Sequence, residues 1–288
     1  MRLRYGTNPH QAAHYESAPF TVRAGEPSYI NLLDALTGWQ LVREASARFG
    51  VPAAASYKHV SPAGAALGVS VTEAYRRARE ADPKSSYGDF VAVSHRVDLE
   101  LAGVLKRVVS DGIIAPGYDD GVLEILAAKK RGTYLVLEMD ASYEPPVQEV
   151  RDVYGVRLTQ ERDVAPLPHE LPDDAVLGMI VARYTQSNTV VMVKDGMTIG
   201  VGAGQQSRVD CTRLAGEKAA LWSGEPLTGV TMVSDGALPF ADNVEVAHRY
   251  GVTHIVEPGG SIRSAEVEVA CSDLGITWSA TGIRLFRH

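Results

Sequence analysis

Short apolar runs alternate with segments of helical period along most of this chain, and this alternation is the feature that most restricts its fold. Phe90 to Ser94 and Val230 to Ser234 are typical of buried strands. The segments 98–109 and 242–250 that come after them carry apolar residues at helical spacing. Strands and helices that follow one another in this way favour an α/β fold.

The same patterns predict the elements along the whole chain. We predict helices over residues 31–49, 71–81, 98–109, 119–130, 174–184, 207–222, 242–250 and 264–274. We predict strands over residues 52–57, 90–94, 112–115, 133–139, 150–158, 230–234, 254–258 and 276–280. A hairpin within 188–204 is expected to turn at Asp195-Gly196. Residues 1–25 are expected to be irregular, and 58–68 to form a loop because Pro62 and Gly64 interrupt the pattern.

Two helix starts carry capping residues. Asn31 is the expected N-cap of the first long helix, and Gly50 is expected to end that helix. Ser207 is the expected N-cap of a helix in the second half, with Asp210 at the capping-box position.

A proline-rich stretch separates two halves of similar element order. We predict a first α/β half over residues 1–140, a connection over 141–173 and a second α/β half over 174–288. The similar order suggests an internal duplication.

Composition excludes several classes of protein. The formal net charge of −7 argues against non-specific binding of nucleic acid, which needs a basic surface. Cys211 and Cys271 form no C-x-x-C motif, so a zinc site or a disulfide framework is not expected. No apolar run is long enough to span a bilayer, and the N-terminal residues contain no signal-like apolar core. We therefore expect a cytoplasmic protein that does not bind membranes.

Lys58 and His59 directly follow a predicted buried strand and precede a Ser-Pro-Ala-Gly segment. Polar groups at the carboxyl end of such a strand often face a ligand crevice. A neighbouring ammonium ion disfavours protonation of an imidazole, so the ring can accept a proton near neutral pH. The ammonium ion can also stabilise a developing oxyanion. As a pattern alone, a Lys-His pair is more often an idle, solvated part of a loop.

A glycine-rich segment, IGVGAGQQSRVDCTR, leads into the predicted helix at Ser207. A helix N-terminus with Arg208 beside it favours an anion, and glycines let a ligand approach the backbone. The alternative is a tight turn whose glycines serve packing, and the pattern does not separate the two. Asp111 and Asn188 stand beside a glycine or a buried strand and could fix an amide or a hydroxyl, although Asp111 in isolation is more often a turn residue.

The sequence lacks the motifs of several other reaction classes. The P-C-x-x-C part of the zinc deaminase signature is missing, and no G-x-S-x-G nucleophile elbow is present. Neither cysteine has the surroundings of a catalytic nucleophile.

Nine segments of the sequence, taken together, resemble one family. In chain order they are LRYGTNPHQ, AASYKHVSPAGAALG, SSYGDFVAVS, VSDGIIAPGY, YTQSNTVV, IGVGAGQQSRVDCTRLAGEKA, PFADN, PGGSIR and RLFRH. The chain is similar from Leu3 to its C-terminus to AICAR transformylases, the formyltransferase half of the bifunctional purine enzyme that also carries IMP cyclohydrolase. The resemblance implies a stand-alone transformylase, with a separate IMP cyclohydrolase as an expected partner.

The resemblance also implies a fold and a reaction. The fold would be a duplicated three-layer α/β architecture like that of cytidine deaminases, without zinc or another metal. The protein would be a homodimer with active sites at the interface. It would move a formyl group from the co-substrate 10-formyltetrahydrofolate to the 5-amine of the nucleotide AICAR.

Site residues follow from the matching motif positions. His59 would be the base, Lys58 would stabilise the transition state, and Asn188 would position the carboxamide or the new amide. The nucleotide site would be lined by Arg4, Tyr5, His10, Gly88, Asp111, Arg208 and Arg284. Val209, Ser261 and Ile262 would contact the folate.

Two departures from the family pattern leave alternatives open. Tyr87 stands where many members have Phe, and Gly236-Ala237-Leu238 replaces an aromatic-containing segment. A roomier pocket could accept a purine-like analogue nucleotide in a nucleoside-antibiotic pathway. A third reading is a non-catalytic protein that binds AICAR, and the intact Lys58-His59 pair argues against it.

Overall fold

The computed structural model describes all residues from Met1 to His288, and eleven of its strands form one mixed sheet. The helices are α1 Tyr29–Phe49, α2 Val71–Glu80, α3 Leu99–Arg107, α4 Val122–Ala127, α5 Asp173–Arg183, α6 Arg208–Ser223, α7 Asp242–Arg249 and α8 Ser264–Asp273. The first strands are β1 Phe20–Ala24, β2 Ala53–Lys58, β3 Ser61–Leu67, β4 Asp89–Val93, β5 Ser110–Ala115 and β6 Leu135–Met139. The others are β7 Gln148–Val153, β8 Val156–Glu161, β9 Thr189–Lys194, β10 Met197–Ala203, β11 Val230–Ser234, β12 Val252–Glu257 and β13 Thr277–Ala280. The predicted α/β class is confirmed.

The two halves of the sheet have the same connectivity. The strand order is β1-β6-β5-β4-β2-β3-β10-β9-β11-β12-β13. In the first half, β2 pairs antiparallel with β3 and β4, and β4, β5 and β6 run parallel. In the second half, β9 pairs antiparallel with β10 and β11, and β11, β12 and β13 run parallel. The halves meet where β3 and β10 pair antiparallel, so one sheet runs through both.

Helices cover both faces of this sheet. Alternate residues of a strand point to opposite faces. Ala53, Ala55 and Tyr57 of β2 therefore pack in the same core cluster as α1 and α5, whereas Ala54 joins the cluster under α2, α3 and α4. A third cluster lies under α6, α7 and α8. Strands buried on both faces read as continuous apolar runs, which is why they stand out in the sequence.

Helix α1 begins earlier than predicted. Ser28 is the N-cap, and Asn31 occupies the third helical position, where its side chain accepts from the Ser28 backbone in a capping box. The prediction that Asn31 is the N-cap was therefore wrong, because Ser28 is also a good N-cap three residues upstream. Gly50 ends the helix with φ of +70°, as predicted.

Three other predictions were wrong. Residues 61–67 form β3 rather than a loop, because Pro62 lies at a bulge and Gly64 lets α2 pack closely on the strand. The expected irregular N-terminus contains the edge strand β1, which pairs with β6. The single strand expected over 150–158 is the hairpin of β7 and β8, because Tyr154 and Gly155 form its turn with positive φ.

This hairpin forms a separate two-stranded sheet, and in the sequence it lies between β6 and α5. The division of the chain at residues 141–173 stays a prediction. No helix of the structure combines the length and the apolar content that a membrane crossing requires.

Candidate functional site

The Lys58-His59 motif lies at a tight turn between β2 and β3. Lys58 pairs with Ser61, so His59 and Val60 alone form the connection. Their φ angles are +53° and +60°, as a two-residue type I′ hairpin turn requires. The turn leaves His59 exposed and Lys58 half-buried.

A buried carboxylate lies beneath this turn. The Val60 backbone N–H donates to Oδ1 of Asp34 over 2.6 Å, and Asp34 is 6% exposed. Burial raises the pKa of Asp34 to about 6, against the lowering effects of the Val60 N–H and of the charges on His59 and Lys58. The sequence pattern did not indicate Asp34 as a site residue, because Asp34 lies inside α1, far along the chain from the motif.

The ammonium group of Lys58 is held by the segment before β4. Its Nζ donates to the carbonyl of Tyr87 over 2.6 Å. Gly88 has a φ of +80°, and a Cβ at this position would lie 3.9 Å from the same Nζ. The structure therefore brings two predicted residues, Lys58 and Gly88, to one place.

Asn188 and Arg208 form a second cluster. Nη2 of Arg208 donates to Oδ1 of Asn188 over 2.7 Å and to Oδ1 of Asp235 over 3.1 Å. The Asn188 amide donates to the carbonyls of Gln205 and Gln206 over 2.9 and 3.0 Å. These contacts fix the orientation of the Asn188 side chain. Nε of Arg208 is buried and has no hydrogen-bond partner, so this arginine retains donor capacity.

The C-terminal segment closes over this cluster. The Phe286 ring lies 5.7 Å from the Arg208 guanidinium carbon and 4.7 Å from that of Arg284. The Leu285 N–H donates to the Asp235 carbonyl over 2.9 Å. Two predicted arginines thus share one aromatic ring, a cation–π arrangement.

A cleft of about 430 Å³ opens beside the Lys58-His59 turn. Its lining includes Lys58, Ser61, Ser85, Gln186, Gly204 and Lys218. His59 lines the same cleft. The Gly204 N–H donates to the Asn188 carbonyl over 2.9 Å, so the Asn188 backbone lies directly behind the cleft wall.

The glycine-rich segment serves two purposes. A Cβ at Gly200 or Gly202 would lie 2.0 Å from a backbone oxygen of α6, so these glycines allow close packing. Gly204 instead lines the cleft. Ser207 is the N-cap of α6 but makes no side-chain capping bond. The predicted capping box was wrong because Asp210 pairs with Arg213 at 2.6 Å.

The remaining predicted site residues make no hydrogen bond to either cluster. Nη2 of Arg4 donates to the Tyr5 hydroxyl over 3.1 Å, and His10 is exposed in the loop before β1. None of these three makes a hydrogen bond to Lys58, His59 or Asn188. Asp111 is exposed and pairs with Lys130 at 2.6 Å.

Of the predicted folate residues, Val209 directly follows Arg208 of the second cluster in the sequence. Val209 lies in the first turn of α6, next to Arg208. Oγ of Ser261 donates to the Leu238 carbonyl over 3.1 Å, and Ile262 is fully exposed.

The cysteines are buried and unpaired. Burial raises the pKa of Cys211 and of Cys271 to about 11, so neither is a thiolate near neutral pH. No group of three or more His, Cys, Asp or Glu side chains is arranged to hold a metal ion.

Sequence analysis also missed Asp235, Phe286 and Lys218. Phe286 lies in one of the strings that carry the family resemblance, so its position was visible but its contacts were not, whereas Asp235 lies outside all of these strings. Lys218 appeared as an ordinary helix residue. Its Nζ lies 3.4 Å from Asp82, and only the packing of α6 shows that it lines the cleft.

Comparison with known proteins identifies relatives over nearly the whole chain. A family model described as the AICARFT/IMPCHase bienzyme matches residues 1–218. The bifunctional purine biosynthesis proteins PurH of Anoxybacillus flavithermus and Rhodospirillum rubrum are both 38% identical to the chain. That of Bacillus cytotoxicus is 36% identical. Each match covers 99% of this chain and 59% of the relative, so the chain spans about three fifths of the length of these proteins.

Proposed function

The chain belongs to the AICARFT/IMPCHase bienzyme family, and we propose that it is a folate-dependent formyltransferase of purine biosynthesis. It would move the formyl group of 10-formyltetrahydrofolate to the 5-amine of AICAR and so produce FAICAR. One observation carries this proposal. The Lys58-His59 turn lies at a cleft whose wall is bonded to Asn188, and Asn188 in turn accepts from Arg208.

His59 is suited to the role of general base. The acceptor amine is conjugated with its ring and is a weak nucleophile, so its attack on the formyl carbon needs removal of a proton. As the new nitrogen–carbon bond forms, His59 accepts that proton. As the bond between the formyl carbon and N10 of the folate breaks, the imidazolium returns the proton to N10. An exposed ring at a tight turn can reach a substrate in the cleft.

Lys58 would stabilise the oxyanion that forms on the formyl oxygen. Its Nζ donates to the Tyr87 carbonyl, which fixes the ammonium group and leaves two further protons for a ligand. Fixing the donor before the reaction is what makes such stabilisation effective.

Asn188 and the arginines would hold the nucleotide. Oδ1 of Asn188 accepts from Arg208 and keeps a second lone pair for a carboxamide N–H. Arg284 suits a phosphate through paired hydrogen bonds, and Arg208 adds positive charge beside it. Arg4, Tyr5, His10, Gly88 and Asp111 complete the nucleotide site in this proposal. Val209, Ser261 and Ile262 would contact the folate.

The small residue at position 236 supports AICAR rather than a larger analogue. A Cβ at Gly236 would lie 2.4 Å from Nη2 of Arg208, so the arginine already fills the space that the missing side chain leaves. Leu238 is fully buried and packs in the core. The segment Gly236-Ala237-Leu238 therefore offers little extra room near Arg208.

We also propose that the protein is a homodimer. Every residue of β7 and β8 is exposed, although a lone two-stranded hairpin is marginally stable in water. A second copy that covers the hairpin would remove this exposure. It could also bring Arg4, Tyr5 and His10 to the site, as the interfacial arrangement requires.

The matching connectivity of the two halves supports the duplicated three-layer fold expected for this family. The likeness to cytidine deaminases belongs to the same proposal. A cyclohydrolase activity would then act on the product.

The test is formyl transfer from 10-formyltetrahydrofolate to AICAR and to a pyrazole carboxamide analogue. We expect the wild-type protein to prefer AICAR, and His59→Ala to lower kcat by at least about 100-fold. His169→Ala, which changes an exposed histidine before α5, is the matched control and should keep full activity. Full activity of His59→Ala would remove His59 as the base. Preference for the analogue, or binding of AICAR without turnover, would favour the alternatives instead.

A further inference from the structure

The His59–Val60 turn is conformationally strained. Both residues have φ in the left-handed region, at +53° and +60°. A β-branched residue such as Val60 rarely adopts this conformation, and it persists only where the surroundings enforce it. The preferred residues of a type I′ turn are Asn, Asp and Gly. Something outside the turn must therefore hold it.

Asp34 is bonded to the turn from beneath. Its carboxylate accepts the Val60 N–H over 2.6 Å, and this is the one hydrogen bond that its side chain makes. The residue is 6% exposed and lies within α1. A buried carboxylate with a single backbone partner is costly, which points to a role at that partner.

The packing of α1 places this carboxylate accurately. Gly38 lies one helical turn after Asp34, on the same face. A Cβ at Gly38 would lie 2.9 Å from Ala92 and 3.0 Å from the Tyr57 ring, so α1 lies very close to β2 and β4. The position of Asp34 relative to the end of β2 is therefore fixed by the fold.

The charges around Asp34 include those of the motif and that of Asp111. Lys58 and a protonated His59 favour its ionised form, and Asp111 opposes it. An ionised Asp34 would therefore be attracted to the Lys58 ammonium group, which directly precedes the turn.

We propose that Asp34 is a positioning residue that fixes the His59–Val60 turn and thereby sets where the His59 imidazole meets the acceptor amine. The inference deepens the proposed formyl transfer and rests on it. Asp34 does not touch the substrate in this arrangement. It acts through the backbone of Val60.

The experiment compares Asp34→Ala, Val60→Gly and the double variant. We expect Asp34→Ala to lower kcat by about 10- to 100-fold with KM changed by less than about 3-fold, because the base is misplaced while the binding residues stay. Val60→Gly should keep kcat within about 2-fold, because Gly adopts positive φ without strain. The double variant should regain at least about 5-fold over Asp34→Ala, since Gly holds the turn without help.

Asp34→Asn separates the hydrogen bond from the charge. Asparagine keeps an oxygen acceptor for the Val60 N–H, so kcat should stay within about 3-fold of wild type. Three results would overturn the positioning role. The first is a loss of kcat in Asp34→Asn as large as that in Asp34→Ala, and the second is full kcat in Asp34→Ala. The third is a double variant that regains no kcat over Asp34→Ala although its thermal unfolding matches that of the wild type.

A measurement without turnover keeps this inference distinct from the proposed function. Exchange of the Val60 amide proton and the NMR signals of the His59 ring, assigned with His59→Gln, should change in Asp34→Ala and return in the double variant. If the wild-type protein transfers no formyl group but these signals change as expected in Asp34→Ala, the formyltransferase proposal fails while the role of Asp34 in fixing the turn stands. Unchanged signals in Asp34→Ala would overturn that role.

Discussion

The guanidinium group of Arg208 lies against Gly236, in the space that any side chain at residue 236 would need. A Cβ there would come within 2.4 Å of Nη2 of Arg208 and within 2.5 Å of Cε1 of Phe286. Nη2 is also the atom that donates to Asn188 and Asp235. The bare glycine thus determines where the arginine of the second cluster lies.

Gly236→Ala should therefore weaken nucleotide binding while the fold survives. The added methyl group meets the mobile ends of two side chains, which can move at small cost in stability. We expect KM for the nucleotide to rise about 10-fold, equivalent to the loss of about 1.4 kcal/mol of binding, with little change in Tm. Gly103→Ala is the matched control, since a Cβ there meets no atom within 4 Å. Unchanged KM in Gly236→Ala would show that Arg208 does not bind the substrate.

The buried carboxyl of Asp34 should make stability depend on pH. Its pKa is raised from an ordinary value of 3.8 to about 6 in the folded protein. Between these values the folded state binds the proton more tightly than the unfolded state, so this group's contribution to stability falls as pH rises from about 4 to about 6. Asp34→Asn removes the ionisation and should become more stable than wild type over that window, by up to about 3 kcal/mol above pH 6.

Urea unfolding of both proteins at pH 4, 5, 6 and 7 measures this difference. The difference between the two free energies of unfolding should be smallest at pH 4 and level above pH 6. A difference that stays constant across the series would show that the carboxyl is not perturbed.

Arg183 should contribute strongly to stability. Its side chain is 6% exposed and pairs with Glu44 and Asp163. Removing the arginine leaves the carboxylates of Glu44 and Asp163 without a positive partner. We therefore expect Arg183→Met to lower the free energy of unfolding by about 2 to 4 kcal/mol. The two carboxylates are partly exposed, at 26% and 39%, which limits the loss.

Arg76→Gln is the matched control for Arg183→Met in urea unfolding. Arg76 is half exposed and lies 3.5 Å from Glu100, and such surface pairs contribute less than about 1 kcal/mol. Equal losses in the two variants would contradict the importance of burial.

The hairpin of β7 and β8 should mediate dimerisation through one face. Val153 lies opposite Val156, and Leu158 lies opposite Arg151, so the three apolar residues share a face. Val156→Lys with Leu158→Lys should convert a dimer into a monomer in sedimentation velocity. Thr159→Lys, on the other face, should leave the dimer intact. A wild-type protein that sediments as a monomer would contradict the proposed interface.

Part of the fold was determined by local sequence. The apolar run at 230–234 became β11 over those residues, and Asp195-Gly196 became the turn between β9 and β10. Such signals are readable because they depend on neighbouring residues: burial on both faces needs a continuous apolar run, and a tight turn needs residues that accept its φ angles.

The candidate site was partly predicted in the same way. Lys58, His59, Asn188 and Arg208 were singled out from their strings. Whether Arg4, Tyr5 and His10 belong with them remains a prediction, because one copy of the chain does not bring them to the cleft.

The remaining features depend on contacts between distant parts of the chain. The sequence by itself determined most of the strands and helices and singled out candidate site residues such as Lys58 and Arg208. Only the tertiary structure decided that β3 joins β10, that Asp34 lies beneath the His59–Val60 turn, and that Arg208 lies over Gly236. These contacts link residues separated by 26 positions or more, and no local pattern encodes which distant partner a strand edge or a buried polar group will meet.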